Sequence, residues 1–324
     1  MTTRHAVLLT YGEPPEPRFL DQLRYSWRIL LGLTRTVAAI PAVALPMIAV
    51  ARASRRRREW RREGYRSPLE AHTRAQAHAL QQALGPGWRV HVAWEFRDPL
   101  LATVLDAIPA HEPVEVVPMY AADSAFTHAL SRAVVGRGWA GRPAPVRVRP
   151  PLDPAALARV QAAFIKAELA RRGVRPGPDW ALALAAHGTL LEPPKPIDTG
   201  REATERLCSH VTRLLAKDFG LVVNGWLNHT RGGRWTEPAM PDALRAAREA
   251  GFRKVAYFPY GFLADNAETE LEGRIALRGG TWDESVLLAS LNDDAGLVEL
   301  LAADLVSGAA ADAPESRAPV AAGA

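Results

Sequence analysis

The chain has 324 residues, 48% of them hydrophobic, enough to bury a large core as one big or two medium α/β domains. Net charge is +5 from 40 basic and 35 acidic residues, but the lysines are only Lys166, Lys195, Lys217 and Lys254. The positive charge is therefore mostly guanidinium, suited to carboxylates and phosphates, while the single cysteine, Cys208, excludes an intrachain disulfide and a four-cysteine iron–sulfur cluster.

Residues 5–12, HAVLLTYG, read as a short buried strand ending in Tyr11-Gly12. No signal-peptide pattern precedes it, so a cytoplasmic protein is expected. Pro14, Pro15 and Pro17 mark a loop, and residues 19–33 are predicted helical, with Phe19, Leu23, Trp27 and Leu30 on one stripe. Residues 36–51 carry no charge, are short for a membrane span and are broken by Pro41 and Pro46. Arginines then fill positions 52, 55, 56, 57, 58, 61, 62 and 66. Three readings compete for this pair of segments. The apolar run packs in the core and the arginines form a solvated helix face. Alternatively, residues 36–66 form a lip on a membrane surface, with arginines on anionic lipid. Nucleic-acid binding is the third and is not favoured, because no nucleic-acid module accompanies the basic run.

Ser67-Pro68-Leu69 starts a predicted helix to Leu84, and residues 90–96 a strand followed by a helix over 99–108. Residues 114–120, VEVVPMY, form another buried strand, with a helix expected over 123–134 and Ser124 near its start. A short strand at 146–149, a helix over 151–172 and a linker at 173–178 close the first half. The second half opens on the strand LALAAHG, ending in His187-Gly188. After a Pro-rich loop comes an amphipathic helix expected to turn Leu207, Val211, Leu214 and Leu215 inward. A strand at 221–227 and a helix at 244–250 follow. A Leu/Val-rich helix runs to Val306, and the Ala/Pro/Ser-rich residues from 307 are expected to be disordered.

Between these last elements lie residues 254–272, KVAYFPYGFLADNAETELE. A buried strand ends at Pro259 and Gly261, and Asp265 opens a helix with Glu268 and Glu272 four residues apart on one face. Paired carboxylates at the carboxyl end of a buried strand stand where open α/β sheets bind ligands. Asp265 with Glu268 equally fits a capping box, a purely structural role. A weak internal echo links the halves: Leu9-x-Tyr11-Gly12 parallels Ala185-x-His187-Gly188, and Val117-Pro118 with Asp123 parallels Phe258-Pro259 with Asp265. The expected fold is α/β, two similar Rossmann-like halves, each a parallel sheet flanked by helices. The expected divisions are 1–173, 174–306 and a tail from 307 to 324.

The pattern Pro259-x-Gly261-Phe262-x-x-Asp265-x-x-Glu268 resembles the C-terminal signature of ferrochelatases, which insert ferrous iron into a porphyrin. In that family a histidine from a second strand end faces the glutamate, and LALAAHG, ending in His187, is similar to its motif. The Ser67-Pro68-Leu69 start, the segment from Pro118 to Ser124, the loop RGGRWTEP at 231–238 and the run from Leu291 to Asp293 resemble further family segments. The resemblance spans about residues 5–306. It departs at Glu95-Phe96-Arg97, where the family usually has an Arg-Tyr-Gly type sequence, and at Asn266, where it usually has histidine.

The resemblance implies His187 and Glu268 as joint catalytic groups and metal ligands, with Glu272 a further rung that passes iron or protons. It implies Tyr11, Ser67 and Ser124 as porphyrin contacts, Fe²⁺ as substrate, no organic cofactor, and an apolar lip over residues 36–66. Imidazole can take protons near neutral pH or ligate iron, and a carboxylate can hold the ion, orient the imidazole or accept a proton. Tyr11 resembles the tyrosine of the coproporphyrin III branch, and arginines suit four propionates, so coproporphyrin III is favoured over protoporphyrin IX. The rivals are a non-catalytic haem or porphyrin carrier of the same fold and a chelatase for cobalt and a more polar tetrapyrrole.

Overall fold

A computed structural model describes residues 3–36, 41–229 and 233–310. Two parallel four-stranded sheets, each flanked by helices, organise the chain. The first contains β1 (Arg4–Thr10), β2 (Trp88–Trp94), β3 (Val114–Pro118) and β4 (Val146–Val148), in the order β2-β1-β3-β4. The second contains β5 (Trp180–His187), β6 (Leu221–Leu227), β7 (Lys254–Phe258) and β8 (Glu284–Leu287), in the order β6-β5-β7-β8. The strand order is the same in both, so β1 and β5 occupy equivalent inner positions. Both are almost wholly buried, as expected of parallel strands covered on both faces.

The helices are α1 (Phe19–Thr36), α2 (Leu45–Arg62), α3 (Leu69–Leu84), α4 (Leu101–Ala107), α5 (His128–Gly138), α6 (Pro154–Arg171), α7 (Arg201–Leu215), α8 (Met240–Glu249), α9 (Gly273–Arg278) and α10 (Ala295–Ala310). One apolar core joins the two sheets. Leu8 of β1 and Leu80 of α3 share it with Ile165 of α6, Leu184 of β5, Val211 of α7 and Leu301 of α10. Buried amides reinforce the junction: Gln76 Nε2 donates to the carbonyls of Leu263 and Asn292 at 2.9 and 2.8 Å, and Gln161 Nε2 to that of Tyr260 at 2.7 Å.

Several expectations are corrected. Helix α5 begins at His128, not at 123, because residues 121–127 are tied down as a loop by the Ala125 N–H on the Asp198 carbonyl. Leu214 is exposed rather than inward. Helix α10 continues to Ala310, through the first residues expected to be disordered, and 311–324 lie outside the described residues. Residues 37–40 also lie outside them; of the uncharged stretch, Thr36 ends α1, and the part from 42 on forms a 3-10 turn (Ala42–Ala44) and the start of α2. The apolar run and the arginines therefore share one helix. Leu45, Ala49, Ala53 and Trp60 face inward, whereas Val43, Met47, Ile48 and Val50 are exposed. No helix among the described residues is long and apolar enough to cross a membrane.

Candidate functional site

The site assembles where β5 ends. His187 is the last residue of β5, and the next residue's N–H is fixed by the Leu227 carbonyl of β6. The loop after β7 lies directly across this strand end. The Gly261 N–H donates to the Ala185 carbonyl at 3.2 Å, and a Cβ at Gly261 would sit 2.8 Å from that of Ala186. Only a glycine permits that approach, and it brings Ala267–Glu272 over His187. This segment is a π-helical turn rather than α-helix. Its wider winding suits residues four apart, and such turns recur at functional sites.

The capping-box role for Asp265 and Glu268 is overturned. Asn266 caps the turn, accepting from the Glu268 and Thr269 N–H groups while the Thr269 side chain accepts from the Asn266 N–H. Asp265 is a buried strut: it accepts from the Ser290 N–H at 2.9 Å, the Thr269 hydroxyl at 2.9 Å and Asn292 Nδ2 at 2.8 Å. The Glu268 carboxylate is thereby left free of the helix start. It accepts from His187 Nδ1 at 2.7 Å and from Asn228 Nδ2 at 3.2 Å. Asn228, just past β6, adopts φ +55° and donates its backbone N–H to Glu272 Oε2 at 3.2 Å. A left-handed non-glycine residue at a strand end is uncommon, and asparagine tolerates it best.

His187, Glu268, Glu272 and Asn228 thus converge on one spot. The His187 side chain is half accessible, so the ring is reachable from solvent. Desolvation disfavours the imidazolium, but the Glu268 carboxylate outweighs it and raises the His187 pKa. Burial likewise opposes charge on Glu268, and His187, with Arg56 and Arg52 behind, holds it below the ordinary carboxyl value. Glu272 shifts the other way, pushed up by burial and then by the neighbouring Glu268 charge. Two carboxyls with opposite shifts and an imidazole can exchange protons within one cluster, although among the described residues no three His, Cys, Asp or Glu side chains are arranged as a metal-ligand set.

The other expected contacts divide. Tyr11 follows β1, and burial, Glu13 and Glu268 among them raise its phenol well above the ordinary value, so it stays protonated. Ser67 is turned into the protein, where its hydroxyl donates a short hydrogen bond to Glu13. Ser124 makes no hydrogen bond to the cluster among the described residues; its Oγ lies 3.1 Å from the Thr127 hydroxyl and accepts from the Phe126 N–H. Residues 230–232 of the expected loop lie outside the described residues, while Trp235 faces the His229 ring beside Gly188. Sequence reasoning missed Asn228, Glu13 and Arg56. The one signal available for Asn228 was an asparagine directly after a buried strand.

Both departures from the family pattern have structural partners. Glu95 accepts from the Tyr120 hydroxyl at 2.9 Å, and Arg97 pairs with Glu70 at 2.9 Å while covering the Trp94 ring. Asn266 is the cap already described. Two shallow cavities, about 260 Å³ against β2 and about 340 Å³ beside β8, border none of the cluster residues. The site is therefore placed by its converging polar groups and strand ends.

Paired parallel sheets with a histidine–carboxylate cluster at their strand ends define a chelatase-type α/β protein. Solved structures agree on the fold. CbiX, described as the terminal enzyme for siroheme biosynthesis in denitrifying bacteria, superimposes with TM-score 0.53 at 16% identity, over 94% of this chain and 99% of its own. DR2241 of Deinococcus radiodurans, described as similar to chelatases, gives TM-score 0.56 at 15% identity, over 94% of this chain and 55% of its own. The ferrochelatase family profile matches residues 4–309, and the chain belongs to that family, enzymes that place a metal in a tetrapyrrole. The ferrochelatase of Xanthomonas axonopodis pv. citri is 27% identical over 81% of this chain and 84% of its own. That of Gluconobacter oxydans is 24% identical over 91% and 90%, and the coproporphyrin III ferrochelatase of Mycolicibacterium paratuberculosis 27% identical over 52% and 50%.

Proposed function

We propose that this chain inserts Fe²⁺ into a porphyrin, with coproporphyrin III preferred over protoporphyrin IX. The observation that carries the reading is the 2.7 Å contact of His187 with Glu268, made within a family of this activity. Glu268 takes the Nδ1–H, which leaves Nε2 to accept a pyrrole proton or meet the incoming iron. Glu272, whose carboxyl is raised, accepts protons nearer neutrality than an ordinary glutamate. Tyr11 beside Glu268 supports the coproporphyrin preference, as do the arginines of α2, which can pair with propionates. The carrier alternative drew on Glu95-Phe96-Arg97 and Asn266, both of which have structural partners here.

Anaerobic absorption assays with Fe²⁺, offering the two porphyrins separately, test the proposal. Faster insertion into coproporphyrin III supports it. No insertion into either overturns it, and insertion of Co²⁺ alone favours the cobalt alternative.

Helix α2 further supports peripheral membrane contact. Its outer face is apolar at Met47, Ile48 and Val50 and basic at Arg55, Arg58 and Arg62. Polarity therefore changes along the helix, with Met47 and Arg58 about 16 Å apart at 1.5 Å per residue. That spacing lets the apolar end enter lipid while the arginines meet anionic headgroups. The protein should sediment with anionic vesicles at low salt and be released as salt screens the arginines. Binding that ignores both salt and Met47→Ser/Val50→Ser returns the helix to a packing role.

A further inference from the structure

Close to the cluster lies a buried carboxylate that the metal chemistry above does not use. Glu13 is 1% exposed and lies two residues after Tyr11. Its Oε1 accepts from the Ser67 hydroxyl and, at 2.9 Å, from the backbone N–H of Ala267. Ala267 is the first residue of the π-helical turn and immediately precedes Glu268. The other oxygen, Oε2, pairs with Arg56 Nη2 at 2.9 Å. Arg56 is held in turn over the rings of Tyr25 and Trp60 at 5.6 and 5.3 Å. Trp60 packs with Tyr65, Ala267 and Leu271, so helix α2 also touches the π-helical turn through apolar contact.

An N–H in the first turn of a helix has no partner within it, and the group that satisfies it fixes where that turn sits. Here the anchor comes from the opposite half of the molecule. We infer that Glu13 is a positioning residue for metal insertion: its carboxylate holds the first turn of Ala267–Glu272 and so aims Glu268 at His187. Arg56 and Ser67 hold Glu13 in place, which makes α2 and the Ser67 segment the outer support of the metal site. The inference deepens the proposed function and rests on it.

Two conservative substitutions separate reach from charge. Glu13→Gln keeps the length and an acceptor for Ala267 but loses the charge that faces Arg56. Glu13→Asp keeps the charge but is one methylene too short to serve Ala267 and Arg56 together. Positioning predicts that Glu13→Asp lowers kcat for metal insertion at least tenfold, with the porphyrin KM within twofold, and that Glu13→Gln loses far less. A purely structural ion pair predicts the reverse order. Rates are compared below the melting transition of each variant. An activity-independent readout is the ¹⁵N shift of His187 Nδ1 in the metal-free protein. It should move in Glu13→Asp, as the Glu268 contact lengthens, and stay near wild type in Glu13→Gln. Should the wild type insert no metal, the proposed function fails and the ¹⁵N shift alone decides this inference. Glu13→Gln more impaired than Glu13→Asp, equal losses, or an unmoved His187 shift in Glu13→Asp would overturn it.

Discussion

Glu95 offers a test of the structure that is independent of catalysis. It follows β2 and accepts from the Tyr120 hydroxyl, and among the described residues its second oxygen is buried without a partner. Burial pushes its carboxyl from 4.5 up to about 8, and the Tyr120 bond recovers only part of that. The folded pKa lies above the unfolded one, so the stability Glu95 contributes is complete below pH 4.5 and is lost as pH rises through about 8. At pH 7 the unfolded chain has released the proton and the folded chain keeps it. Over about 2.5 pH units at 1.36 kcal/mol each, this costs about 3 kcal/mol. Glu95→Gln cannot ionise and retains an acceptor for Tyr120, so it should be more stable than wild type by that amount at pH 7. The gain should shrink towards zero near pH 4.5. Urea denaturation of both proteins from pH 4.5 to 9 measures the difference. Parallel pH profiles would refute the argument, because they would mean that the carboxyl is hydrated in the fold.

Three further substitutions probe the site. His187→Ala should abolish metal insertion while porphyrin still binds, as followed by quenching of porphyrin fluorescence; wild-type turnover would sink the assignment. Asp265→Asn places an amide donor among three donors, and a lost buried charge-assisted network on the order of 2–3 kcal/mol should appear in denaturation, with reduced insertion. Gly261→Ala forces apart the loop and β5, since its Cβ would lie 3.0 Å from the Ala186 Cα. Its kcat should fall more than its porphyrin KM changes, and an unaltered kcat would show that the close approach does not set the Glu268 position.

The inner strands were legible because buried parallel strands are continuous apolar runs, whereas the pairing of His187 with Glu268 was legible only through the resemblance of both motifs to those of ferrochelatases. β8 was not legible. Its four residues, ESVL, sit at a sheet edge, with two exposed, and carry no alternation long enough to read. The start of α5 misled because Asp123-Ser124 looks like a helix cap, while the constraint that keeps 121–127 open comes from Asp198. The π-helical turn was hidden for a similar reason. Local sequence pointed to Asp265 as the cap, and Ser290 and Asn292 overrule it by engaging Asp265, which leaves the cap to Asn266. Glu13 was the hardest to find, since its partners are 43, 54 and 254 residues away.

The matching strand order of the two sheets bears on how this architecture can diversify. Two half-length chains related by a twofold axis must present the same side chain from both sides of a shared groove. A single chain carrying both halves is free of that restriction. Here the equivalent strand ends hold a phenol, Tyr11, in one half and an imidazole–carboxylate pair, His187 with Glu268, in the other. One chain can therefore vary each half separately while the shared core keeps them in register, and a disc-shaped guest would find an inside and an outside. A symmetric pair could offer it only two identical faces.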